Sequence, residues 1–181
     1  MKKAVALLII FGIAAAAAEE YLQVRDRLSA ERDAIGREWT RMDNDLKKRA
    51  ELIPELARAA RQIPSDGQRL ADSIEEAAGA INKATIPSEG IAANAQLNSA
   101  IGRLMLAFEI RAQSGGAAKQ LLFQLAEREN RIFQSRRRYN DAVKDYNVTL
   151  SQFPANLVGA IASFVRDDNY FKTDITGHDL P

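Results

Sequence analysis

Apolar side chains recur at alternating spacings of three and four residues over two long stretches of this sequence, and that period constrains the fold more than any other feature. In the first stretch Leu28, Ile35, Met42, Leu56 and Ile63 take one position of a seven-residue repeat, with Arg49 interrupting. Trp39, Leu46, Ile53 and Ala60 take the matching position. In the second stretch Leu121, Leu125, Ile132, Tyr139, Val143, Tyr146, Leu150 and Phe153 keep the same rhythm, with Arg128 or Glu129, and Arg136, in the interrupting places. Residues so spaced form one stripe along a helix. Charged residues such as Arg41, Asp43, Lys47 and Lys48 lie between them. Composition agrees: 10 glycines and 5 prolines in 181 residues are few, and alanine, arginine, leucine, glutamate and lysine dominate, a bias that favours long helices over sheets.

Breaks in the pattern set the element boundaries. Pro54 falls inside the first stripe, which resumes after it, so a bend or slight unwinding is expected rather than an end. The end falls at Pro64-Ser65-Asp66-Gly67, with Ser65 as a capping residue. A second helix is expected over Asp66–Lys83, faced by Leu70, Ile74, Ala77 and Ile81. A third begins at Pro87-Ser88, with Ser88 as N-cap. It presents Ala95, Leu97, Ile101, Leu104 and Phe108, and stops at Gln113-Ser114-Gly115-Gly116. A fourth, long helix runs from about Ala117 to Gln152. Asn156–Phe164 is a short apolar segment, and residues 166–181 read as a loose tail.

The N-terminus, MKKAVALLIIFGIAAAAAEE, places Lys2 and Lys3 before an uncharged run from Ala4 to Ala18, closed by Glu19 and Glu20. It reads as a signal anchor, short for a span of about 20 residues but extended by snorkelling lysines. It also reads as a secretory signal cleaved after Ala18, the last of the small residues Ala16-Ala17-Ala18. A buried core helix is the third reading. The first two agree on sidedness: the lysines stay cytoplasmic and the rest of the chain lies outside the cytoplasm.

Chemistry is bounded by what the chain lacks. With no cysteine, disulfides, thiolate metal sites and cysteine nucleophiles are excluded. The single histidine, His178, is a solvated tail residue in this reading, short of the four-ligand demand of structural zinc. The Glu-x-x-His pairs of di-iron bundles are missing, so Asp43, Asp45, Glu51 and Glu55 read as surface charges. Ser135 and Ser151 have no histidine base within a helical pattern. Gly115-Gly116 lacks the lysine and hydroxyl residue that would make a phosphate loop. No catalytic residue, cofactor, metal or small-molecule substrate is expected.

Arg136-Arg137-Arg138 raises the question of nucleic acid. Lys+Arg is 25 against Asp+Glu 24, without the basic excess of a nucleic-acid-binding domain. Successive helical residues turn by about 100°, so the three arginines spread over about 200° of the surface. Asp141 and Asp145 lie near the i+4 spacing that salt-pairs such a face. No nucleic-acid partner is expected. Arg49 and Arg136 lie on the apolar stripes, and each then needs a carboxylate or carbonyl partner in a polar layer. Asn147-Val148-Thr149 matches a glycosylation sequon, read as coincidence within a helix.

Two segments carry a family likeness. RMDNDLKKRAELIPEL (41–56), with Trp39 just ahead, resembles the first long helix of the LemA family, and ENRIFQSRRRYNDAVKDYNVTLSQFPANLVG (129–159) resembles that family's most recognisable stretch. The likeness covers roughly residues 21–171. It implies a bacterial inner-membrane protein without established enzymatic activity. The fold expected is all-α: an N-terminal membrane helix, then an elongated antiparallel four-helix bundle with coiled-coil-like packing and a short C-terminal helix. Residues 1–20 would be the anchor, possibly removed as a signal, 21–165 the bundle and 166–181 a flexible tail. The function expected is that of a non-enzymatic scaffold of the cell envelope, on the periplasmic side of the membrane it enters through residues 4–18. Its partner would be an unidentified envelope protein or a second copy. Phe153, Leu157, Val158, Ile161 and Phe164 are the candidate partner-facing residues, because the apolar pattern continues there past the heptads. A fold-back of the same segment onto the bundle end competes with that reading.

Overall fold

The computed structural model of the protein describes residues 2–110 and 116–171. Among them the chain is helical and contains no strand: α1 (Lys2–Ala50), α2 (Ile53–Ala60), α3 (Gly67–Lys83), α4 (Pro87–Ile110), α5 (Gly116–Ser151) and α6 (Ala155–Ala162). The all-α helical bundle expected from the heptads is the observed class. Two compact units divide it, Met1–Arg37 with Asp141–Asp168 and Glu38–Asn140 with Asn169–Pro181. The long helices α1 and α5 contribute to both.

The stripes are buried as their spacing requires, except at Phe153, which lies past the end of α5 and is exposed. Leu28, Met42, Leu46, Ile53, Leu56 and Ala60 are at most 1% exposed, and Tyr139, Val143 and Tyr146 at most 2%. Each such aliphatic side chain contributes about 1.5–3 kcal/mol of apolar transfer. Within the first unit Thr149 meets Arg27 and Glu31, and Tyr146 feels the charge of Arg32, so the two long helices run antiparallel there. Within the second unit the same sense follows from Arg138 against Glu38, Ser135 against Asp45, and Glu129 against Arg49.

Pro54 unwinds the helix locally. The α-helix stops at Ala50, Glu51 and Leu52 form a turn, and Pro54 sits in the first turn of α2, where its missing N–H costs nothing. Lys47, Lys48 and Arg49 close the last turn of α1, where cations suit the helix dipole. Two capping expectations need correction. Ser65 does not cap α3. It takes a left-handed backbone (φ 73°) in the preceding turn, and Asp66 occupies the cap position without a side-chain hydrogen bond. Ser88 lies inside α4, which starts at Pro87. The carboxylate that serves this terminus is Glu89, accepting from the Thr85 N–H at 2.9 Å and the Thr85 hydroxyl at 3.2 Å. The Thr85 amide holds Glu89 below the ordinary carboxylate range. The expected stop at Gln113-Ser114-Gly115 lies outside the described residues.

The N-terminal run is helical and wholly uncovered. Leu7, Leu8, Ile10, Phe11 and Ile13 are all more than 60% exposed, which overturns the reading of residues 4–18 as a core helix. The helix is long and apolar enough there to cross a membrane.

Candidate functional site

In the first unit, the end of α5 is covered by the chain that follows it. The Phe153–Pro154 peptide is cis, and α6 then packs Ala155, Val158 and Gly159 inward. A Cβ on Gly159 would press on Leu150 Cδ1, so the missing side chain lets α6 approach the last turn of α5. Ser163, left-handed at φ 58°, ends α6. The segment after it is fixed from α5. The Tyr146 hydroxyl donates to the Val165 carbonyl at 2.8 Å. Asn147 Nδ2 donates to the Asp167 carbonyl at 2.6 Å, while Asn147 Oδ1 accepts from the Asp167 N–H at 3.0 Å. Burial pushes the Tyr146 phenol above its ordinary pKa; Arg32 opposes this, and Asp167 and Glu31 reinforce it.

In the second unit the same arrangement recurs with different residues. Asn140 Nδ2 donates to the Phe171 carbonyl at 2.8 Å and its Oδ1 accepts from the Phe171 N–H at 3.0 Å. The Phe171 ring, 3% exposed, meets Tyr139 edge-on at 5.7 Å and stacks with Trp39 at 6.5 Å. Trp39 and Tyr139 close the triangle at 5.7 Å. Gly90 makes room for the indole: a Cβ there would lie 2.9 Å from Trp39 Cζ2. The expected loose tail therefore does not begin at Arg166. Residues 165, 167 and 171 are anchored, and only residues 172–181, with His178, lie outside the described residues.

The second unit also contains the polar layer expected at Arg49. Its guanidinium is fully buried and donates to Asn94 Oδ1 at 2.6 Å, to Asn98 Oδ1 at 2.7 Å and to the Glu129 carboxylate. Arg136, 4% exposed, places its guanidinium 5.6 Å from the centre of the Phe133 ring. Asp45 is not a plain surface charge as expected, because it accepts from the buried Ser135 hydroxyl. Arg138 pairs with Glu38 at 3.5 Å and with Ser135, rather than with an acid further along α5.

The five apolar residues singled out in the sequence separate. Phe153, Leu157 and Ile161 are 78%, 56% and 72% exposed, Val158 is buried and Phe164 is half-buried. The fold-back reading describes Ala155, Val158 and Gly159, while Phe153, Leu157 and Ile161 stay exposed. The asparagine contacts were missed. The apolar stripe gives Asn140 and Asn147 no role; their repetition after a tyrosine, seven residues apart, is the available signal. Among the described residues no group of three or more His, Asp or Glu side chains is placed to hold a metal.

Set beside known proteins, residues 38–179 match the family model described as the LemA family. No curated protein matches the chain.

Proposed function

This chain belongs to the LemA family, and we propose on that premise that it is a non-enzymatic, membrane-anchored helical bundle serving as an interaction or scaffold component of the bacterial envelope. Ala4–Ala18 would hold it in the inner membrane, with the bundle on the extracytoplasmic side and Lys2 and Lys3 retained inside. The observation that carries this reading is the helical run of apolar side chains that none of the described residues covers. In water such a run would leave a contiguous apolar patch larger than the few hundred Å² that monomeric soluble proteins ordinarily expose. The partner would be an envelope protein or a second copy, met through the polar helix faces.

The small residues Ala16-Ala17-Ala18 favour a second reading, a soluble extracytoplasmic binding protein or chaperone released by cleavage. Protease treatment of a C-terminally tagged full-length protein in intact cells, spheroplasts and washed membranes separates them. The anchored reading expects a tag that sediments with membranes and is cut once the outer barrier is opened. A tag released by osmotic shock, on a chain beginning at Glu19, replaces the anchor with a signal. Protection until the inner membrane is lysed reverses the orientation.

A further inference from the structure

Outside its N-terminal run, the apolar surface of the first unit concentrates on α6 and on Phe153 and Val165, which flank it. This helix reads ANLVGAIA, with Asn156 its only polar side chain. A helix apolar on all sides is ordinarily enclosed by protein or by lipid. Here Ala155, Val158 and Gly159 are enclosed by protein. The other side carries Leu157 and Ile161, four residues apart, and is open, with Phe153 exposed in the turn just before the helix. Because Gly159 lies against Leu150, this open side faces away from the last turn of α5.

Its level along α1 identifies what covers it. Thr149 is level with Arg27 and Glu31. From Arg27 back to Ala18, the end of the apolar run, is nine residues, or about 14 Å of helix. α5 runs on two residues past Thr149 on an antiparallel course, to Ser151, which brings its end about 3 Å closer, and Phe153 lies in the turn that follows. The remaining gap of roughly 11 Å is of the same order as the ~5–10 Å that interfacial apolar side chains penetrate.

We propose that α6 rests on the bilayer: with Ala4–Ala18 in the membrane, Phe153, Leu157 and Ile161 enter the interfacial zone of the same leaflet beside the anchor. This rests on the anchored reading above. The flanking arginines carry their own acids, Arg25 with Asp26 at 3.0 Å and Arg166 with Asp168 at 2.7 Å, so the contact is apolar rather than with anionic headgroups. Three side chains also fall far short of the ~800 Å² per partner that a stable protein interface buries, which disfavours a second copy as the occupant.

The test uses the full-length chain in vesicles of phosphatidylethanolamine and phosphatidylglycerol whose acyl chains are brominated close to the carbonyl end. Phe153→Trp and, separately, Ile161→Trp add a fluorophore at exposed positions, and the unchanged protein, with Trp39 alone, supplies the background. In both variants the added emission is expected to shift to the blue and to lose about half or more of its intensity to the bromines, as interfacial insertion requires. Red, unquenched emission from protein that floats with the vesicles overturns the proposal and leaves the anchor intact. Blue but unquenched emission that depends on protein density assigns the face to a second copy and equally overturns it. Protein that does not float removes the anchor, and the proposal with it.

Discussion

Asn147 and Asp167 exchange two hydrogen bonds, the side-chain amide of one matching the main-chain N–H and carbonyl of the other. Replacing Asn147 by alanine strands both main-chain groups, at a cost of about 1–3 kcal/mol. The Asp167 amide should then exchange with solvent about ten- to a hundredfold faster. Asn140→Ala should do the same to the Phe171 amide in the other unit, where the ring contacts with Trp39 and Tyr139 remain. Unchanged exchange in either variant would show that the asparagine is not what holds its partner.

These contacts also mark where sequence reasoning stopped. The stripes, the unwinding at Pro54 and the need of Arg49 for oxygen partners were legible, because heptad spacing fixes which side chains are buried and a buried guanidinium must be paired. That its partners are Asn94 and Asn98 of α4 was not, since these two acceptors lie 45 and 49 residues from Arg49, on a helix outside the two striped stretches. The anchoring of residues 165–171 was hidden for a related reason. Polar residues without periodicity look like a loose tail, and the groups that hold them there are main-chain atoms with no signature in the residue types. The open side of α6 was legible as apolar, but the division of α6 into a buried and a bare side depends on Gly159 meeting Leu150.

The layer around Arg49 gives a graded prediction. Arg49→Leu leaves Asn94 and Asn98 short of a donor and should destabilise the protein by about 2–4 kcal/mol in chemical denaturation. Glu129→Gln should cost no more than about 1 kcal/mol, because that carboxylate is 43% exposed and water screens it. Equal losses for the two variants would contradict the assignment of the buried amides as the principal partners.

Gly90 and Gly159 should respond unequally to alanine. At Gly90 the added methyl meets the stacked Trp39 ring, and overpacking of that kind costs about 1–3 kcal/mol. A change in Trp39 fluorescence should accompany the loss. At Gly159 the obstacle is the far end of the flexible Leu150 side chain, and the gain in helix propensity, about 1 kcal/mol, offsets most of its displacement. Thermal melts of the two variants check the order.

Alkaline pH should weaken the first unit through Tyr146. Its pKa is raised by burial, so the phenol's contribution is complete below the unfolded value of about 10 and is lost as pH rises through the folded value. Tyr146→Phe should flatten the fall in stability above about pH 10, while costing about 1 kcal/mol at neutral pH for the lost hydrogen bond to Val165. Denaturation midpoints measured from neutral to alkaline pH provide the comparison.

A helix spends its main-chain donors and acceptors on its own ladder, so a segment passing along its flank ordinarily finds no edge to pair with. Asn140 and Asn147 give α5 two such edges, each one residue long and each offering what a neighbouring strand would offer. What they read is the peptide unit and not the side chain upon it. Positions 167 and 171 are therefore open, as far as these bonds are concerned, to every residue type that retains an N–H, and proline alone is barred.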